Sequence, residues 1–207
     1  MTAVADVVSD DGSNKRVMRE AVLAARAALS ADERARADAA IIAAARDLVA
    51  GLACVAAYAP LADEPGGPAL PEGLAAAVAA EHRSGQTYGL LLPAMRPDRD
   101  LDWVRFDGTL GVGSTLRILR EPPGPRLGVA AITDAELVLV PALAVDATGG
   151  RLGRGGGSYD RALTRVRPGV PIVALLYAGE MVPAVPTEPH DRPVTAVLTP
   201  DGLRAVG

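Results

Sequence analysis

The chain has 207 residues, with 21 basic and 25 acidic side chains, a formal net charge of −4 and 49% hydrophobic residues. That length suits one domain with a single sizeable core. No run of 18 purely apolar residues is present, which argues against a transmembrane helix, and the mild acidity argues against a duplex nucleic-acid binder. Residues 1–14 lack a basic segment followed by an apolar one, so a short flexible leader is expected rather than a secretory signal. A single cysteine can form neither an intramolecular disulfide nor a cysteine-rich metal site, which fits a reducing cytoplasm. Twenty of the 21 basic residues are Arg and one is Lys15. Where Arg is the default cation, a retained ammonium is a candidate for a role that a planar guanidinium cannot fill.

In chain order, Met18, Val22, Ala25 and Leu29 fall on one stripe and predict a helix over 15–29, with Lys15, Arg19 and Arg26 on another face. Ser30-Ala31-Asp32-Glu33 has the capping-box pattern of a second helix. That helix runs to about Val49, and Gly51 ends it. Cys54 to Tyr58 reads as a buried strand, followed by a turn-rich loop, Asp63 to Pro68. Pro71 suits the first turn of a helix ending near Gly85. Tyr88 to Leu92 predicts a strand closed by Pro93, and Trp103 to Phe106 a short one. Residues 107–125, rich in Gly and Pro, receive no assignment.

Leu137 to Val145 is a continuous apolar run, as expected of a strand covered on both faces. A helix expected at 159–166 and strands at 171–177 and 194–199 complete the pattern. Alternating strands and helices predict a three-layer α/β/α sandwich with a mostly parallel central sheet, forming a single domain over 15–207.

The strongest local signal is Gly149-Gly150-Arg151-Leu152-Gly153-Arg154-Gly155-Gly156-Gly157-Ser158-Tyr159-Asp160. It leads from a buried strand into a helix. Glycines let backbone N–H groups approach an anion, a helix N-terminus adds partial positive charge, and Arg151 and Arg154 can donate to phosphate oxygens. Asp160 could hold Mg²⁺ against a nucleotide or charge the helix start. The P-loop is excluded, because its Lys is missing from every Gly-rich stretch. G-x-G-x-x-G fails as well, because Ser158 and Asp160 stand where its third Gly would be. Cys54 lies in an apolar strand and reads as an inert packed thiol. Neither His82 nor His190 shows metal-ligand spacing.

The stretch from Arg151 to Asp160 resembles the R-L-G-x-G-x-G-Y-Y-D signature of the 5-formyltetrahydrofolate cyclo-ligase (methenyltetrahydrofolate synthetase) family. The similarity covers most of the chain from Lys15. Lys15-x-x-x-Arg19 is similar to that family's ATP-phosphate-binding pair, and Leu29-Ser30 to its L-S at the second helix. Tyr58 and Glu64 match the segment with a substrate-binding Glu, and His190-Asp191 with 194–199 match the closing region.

The resemblance implies an ATP- and Mg²⁺-dependent conversion of 5-formyltetrahydrofolate to 5,10-methenyltetrahydrofolate. It implies catalytic roles for Lys15 and Arg154. The nucleotide would be bound by these two with Arg19, Arg151, Gly153, Gly155, Gly156, Gly157, Ser158, Tyr159 and Asp160. Tyr58, Glu64, Trp103 and Tyr159 would contact the substrate, and Asp160 and Asp191 the metal. The partners would be small molecules, with no nucleic acid or membrane, and the chain a monomer. Ser158 departs from the family's first Tyr, Pro65-Gly66-Gly67 from a run ending in Thr, and Glu180 stands near a position that is often Gln. A homologue acting on another acylated amine and a non-catalytic nucleotide or folate binder remain alternatives.

Overall fold

The computed structural model describes residues 11–78, 89–188 and 191–207. His82, His190, Tyr88, the expected leader up to residue 10 and the far part of the helix expected to end near Gly85 lie outside them.

The first helix, α1 (Asp11–Ala28), begins four residues before Lys15, so residues 11–14 belong to it rather than to a leader. The second, α2 (Ala31–Val49), carries the expected capping box: Ser30 Oγ accepts from the Glu33 N–H at 3.3 Å, and the Ser30 N–H donates to Glu33 Oε2 at 2.9 Å. Strand β1 (Cys54–Ala56) follows, then α3 (Leu70–Ala75). Strand β2 (Gly89–Met95) runs straight through Pro93. Its pairing with β1 ends at Leu91, so the missing proline N–H takes no bond from that ladder. Beyond that point β2 is held by β3 (Leu101–Arg105), which begins earlier than the sequence suggests.

The unassigned stretch contains a small hairpin, β4 (Gly111–Val112) with β5 (Arg120–Glu121). A 3₁₀ turn over Val129–Asp134 leads into β6 (Leu137–Pro141). The long apolar run is therefore two elements. After Pro141 the chain leaves the sheet, and β7 (Ala144–Val145) pairs with β8 (Arg151–Leu152) in a separate ribbon. Helix α4 (Ser158–Leu163) is six residues long, shorter than the periodicity predicts; the chain beyond it turns, and Pro168 disfavours further helix. Strands β9 (Ile172–Leu175), β10 (Ala196–Thr199) and β11 (Gly202–Ala205) close the fold.

The main sheet has the order β11-β10-β9-β6-β1-β2-β3. Its five inner strands are parallel, and the two edges, β3 and β11, are antiparallel. Both faces are covered, as the three-layer expectation requires. Along β6 the side chains alternate: Leu137 and Leu139 pack with Ile41, Ala45 and Leu74 from α2 and α3, while Val138 and Val140 pack with Ile132, Ala162 and Leu163 on the other face. No helix among the described residues is long and apolar enough to cross a membrane.

The order reverses between β1 and β6: the chain proceeds outward to β2 on one side and to β9 on the other. In open α/β sheets a crevice forms beyond the carboxyl ends of strands at such a reversal.

Trp103 is fully enclosed and is the largest side chain of the core layer that holds Val138, Val140 and Leu163. Trp103→Ala is expected to cost about 3–5 kcal/mol of folding stability, read from urea unfolding.

Candidate active site

A cavity of about 440 Å³ opens at the β1/β6 reversal, within the size range of cofactor and substrate sites. Its walls come from several segments, Pro93 and Met95 of β2 and Leu119 to Glu121 of the hairpin among them. The segment after β1 supplies Tyr58 and Glu64; the segment after β6 supplies Pro141, Ala142 and Leu143; the glycine loop supplies residues 151–160; and α1 supplies Lys15 and Arg19. Glu188 and Asp191 close the far side. Every predicted site residue except Trp103 lines this one space. Trp103 is corrected: its ring is 0% exposed inside the core and reaches no cavity wall, so it cannot touch a ligand there.

The glycine loop divides into two parts with different tasks. Residues 146–150 form a closed turn around Asp146. Its Oδ1 accepts from the Thr148 N–H and the Gly150 N–H at 2.9 Å each and from the Thr148 hydroxyl at 2.7 Å, and its Oδ2 accepts from the Val185 N–H at 2.8 Å. Burial alone would raise this carboxyl's pKa, but the four donors outweigh it and hold the group below its ordinary value. Gly149 sits where a Cβ would lie 2.3 Å from the Val194 carbonyl oxygen, so the turn presses against the neighbouring chain and admits no side chain. Gly149 and Gly150 therefore build the turn, and the cradle facing the cavity starts at Arg151. Gly157, at φ 69°, turns the chain into α4 from the left-handed region.

Each cavity arginine already has a protein acceptor. Arg154 donates both bonds of its Nη2 to Asp63, at 2.6 and 2.7 Å, and its Nε to Glu64 Oε1 at 3.0 Å. Arg19 Nε donates to the Gly153 carbonyl at 2.9 Å, and Arg151 Nη2 to Asp160 Oδ1. Lys15 Nζ lies 3.7 Å from Glu188. Arg151 Nε is buried and makes no hydrogen bond. The arginine pairs account for buried or half-buried charge. They also show that sequence reasoning missed Asp63, which is a direct partner of Arg154.

Glu64 is nearly buried, and its Oε2 accepts from the Leu61 N–H at 2.9 Å, so its loop folds back on itself. The Tyr58 hydroxyl donates to the Pro65 carbonyl at 2.8 Å, and Asp38 Oδ1 accepts from the Gly66 N–H at 2.9 Å. Burial first, then the charge of Glu64, pushes the Tyr58 and Tyr159 hydroxyls far above their ordinary range, so both present neutral rings to the cavity. Burial pushes the Cys54 thiol up to about 12, as its inert reading requires.

Asp160 and Asp191 both stand on the cavity wall. Among the described residues no three His, Cys, Asp or Glu side chains converge. One or two carboxylates suit a Mg²⁺ ion whose remaining ligands are phosphate oxygens and water.

The sequence profile of the 5-formyltetrahydrofolate cyclo-ligase family matches residues 11–200. The chain belongs to this family. A relative from Mycolicibacterium smegmatis, a 5-formyltetrahydrofolate cyclo-ligase, is 41% identical over 152 residues, which are 70% of this chain and 73% of that one. A mitochondrial 5-formyltetrahydrofolate cyclo-ligase from Arabidopsis thaliana is 32% identical over 108 residues, 44% of this chain and 39% of the relative. Among solved structures, the 5,10-methenyltetrahydrofolate synthetase of Aquifex aeolicus superposes with a TM-score of 0.69 at 28% identity, covering 92% of each chain. The synthetase from Mycoplasma pneumoniae has a TM-score of 0.68 at 17% identity, covering 90% of this chain and 99% of that one, and shares the fold. The chain is thus an enzyme of the cyclo-ligase type, and the resemblance carried by residues 151–160 is borne out.

Asp146, which the sequence did not single out, supports the signature loop from below. A neutral amide cannot accept from all four donors. Asp146→Asn is expected to lose about 2 kcal/mol at pH 7. Because the native pKa is depressed, that stability is present above the unfolded value of about 4 and disappears as pH falls through the native one. The gap between the two proteins should narrow as pH falls below about 4, as read from thermal midpoints across pH 3–7.

Proposed function

We propose that this chain uses ATP to convert 5-formyltetrahydrofolate into 5,10-methenyltetrahydrofolate, releasing ADP and phosphate. The reading rests chiefly on one observation: Lys15, the loop from Arg151 to Asp160, and Glu64 face a single cavity although they are far apart in the sequence.

The chemistry needs no protein nucleophile. The γ-phosphoryl group passes to the formyl oxygen, breaking its bond to ADP and making the formyl carbon electrophilic. N10 attacks that carbon and loses its proton, and the C–O bond breaks as phosphate leaves. The acceleration comes from bringing the reactants together and stabilising the charge on the transferring group. Lys15, Arg19, Arg151 and Arg154 supply that positive charge. Arg154 exchanges carboxylate for phosphate when the nucleotide arrives, which leaves Glu64 to accept hydrogen bonds from the pterin or N10. Asp160 and Asp191 would hold Mg²⁺, which neutralises phosphate charge when bound. Ser158 lines the cavity where the family has a ring, and the neutral rings of Tyr58 and Tyr159 form the apolar part of the folate wall.

Purified protein with ATP, Mg²⁺ and 5-formyltetrahydrofolate is expected to yield the methenyl chromophore and stoichiometric ADP. A well-folded protein that yields neither refutes the reading. A kcat/KM below about 10⁴ M⁻¹s⁻¹ would instead point to another acylated amine, for which the missing ring at Ser158 leaves room. A charge-assisted contact contributes roughly 1.5–3 kcal/mol. Lys15→Ala and Arg154→Ala are therefore each expected to lower ATP-dependent turnover at least about tenfold, and Lys15→Arg separates the ammonium from its charge.

A further inference from the structure

Helix α1 presents Lys15 and Arg19 to the cavity, but it is seated unusually. Among its described side chains only Arg26 is buried, at 1% exposure. Its apolar residues Met18, Val22 and Leu23 are only partly buried, against a small cluster around Leu143 and Leu152. Lys15, Arg19 and Arg26 are spaced i, i+4 and i+11, so they share one face, and Arg26 lies about 16 Å along the axis from Lys15.

All three nitrogens of the Arg26 guanidinium donate hydrogen bonds. Nε donates to Glu180 Oε1 at 2.6 Å, and Nη2 to Glu180 Oε2 at 2.8 Å and to the Ala142 carbonyl at 2.7 Å. Nη1 donates to the Asp63 carbonyl at 3.3 Å, and the group lies 5.5 Å from the Tyr177 ring centre. Glu180 is itself fixed, because its Oε2 also accepts from the Tyr177 N–H at 2.8 Å. These acceptors belong to three separate parts of the cavity's surround: the turn after β9, the segment leaving β6, and the residue before Glu64.

We propose that Arg26, paired with Glu180, is a positioning residue that sets the rotation and axial register of α1, and so where Lys15 and Arg19 stand against the nucleotide phosphates. The proposal rests on the ATP reading above. A planar fork fixes direction as well as distance. A half-buried apolar stripe tolerates sliding. Net stability is a poor explanation for such a pair, because apolar replacements of both partners in a buried ion pair often fold as well or better. The Glu64 loop has its own ties through Leu61, Tyr58 and Asp38, so losing Arg26 falls chiefly on α1.

The test compares Arg26→Met, Glu180→Met, the double variant and Arg26→Lys. Three readouts apply: thermal midpoint, steady-state kinetics, and amide exchange over residues 15–28. Each Met single variant strands a buried charge and should melt earlier. The double variant should regain most of the midpoint, yet keep a KM for ATP raised tenfold or more, a folate KM within about twofold and accelerated exchange in α1. Arg26→Lys keeps the charge without the fork and should raise the KM for ATP severalfold. A double variant with native KM for ATP and native exchange overturns the proposal. If that variant does not fold, a native KM for ATP in Arg26→Lys does the same. Absence of ATP-dependent turnover in the unaltered protein would remove the proposed reaction, whereas accelerated exchange in the double variant would still support the tether.

Discussion

Two parallel strands leaving the sheet side by side, β1 and β6, impose the geometry on which everything else depends. Their pairing, Val55 with Leu137 and Ala56 with Val138, fixes where the chain emerges after Ala56 and after Pro141. Because the sheet order reverses there, the two exits diverge and leave a crevice rather than a covered edge. Glu64 enters that crevice from one exit and the signature loop from the other. Helix α1 adds Lys15 and Arg19 to its wall.

The crevice and its surround are crowded with opposite charges. Arg154 lies against Asp63 and Glu64, Arg151 against Asp160, and Arg26 against Glu180. Buried charge without a partner is strongly unfavourable, so under the proposed ATP reading these cations have to be satisfied when no polyanion is present. Two of the carboxylates that do so, Glu64 and Asp160, are those the substrate and the metal are expected to meet. Asp146 lies beneath the loop and takes no part in this exchange. It holds the turn that lets residues 151–157 run along the cavity wall.

Much of the fold was legible because its signals are local. The Ser30–Glu33 box, the stripe of α1 and the apolar strands each follow from short-range periodicity or capping. The misreadings came where partners outside the segment decide. Pro93 does not end β2, because β3 pairs with the strand beyond it. The run Leu137–Val145 divides, because its last residues pair with β8 instead of the sheet. A continuous apolar stretch is compatible with both outcomes. The hairpin within 107–125 has no pattern strong enough to read. Trp103 shows the same limit for the site, since an aromatic residue looks alike in sequence whether it forms a core or faces a ligand.

The sequence by itself determined the family, through a ten-residue signature that departs only at Ser158 and through a lone lysine, and the layer architecture, through alternation of strand and helix periods. Those features are carried by neighbours along the chain. Only the tertiary structure decided which charges meet. Asp63 with Arg154, Arg26 with Glu180 and Asp146 beneath the loop are pairings or supports whose importance depends on contacts made by the folded chain. Residues separated by 91 and 154 positions touch because a parallel sheet brings distant segments to one edge, and no local pattern encodes that meeting.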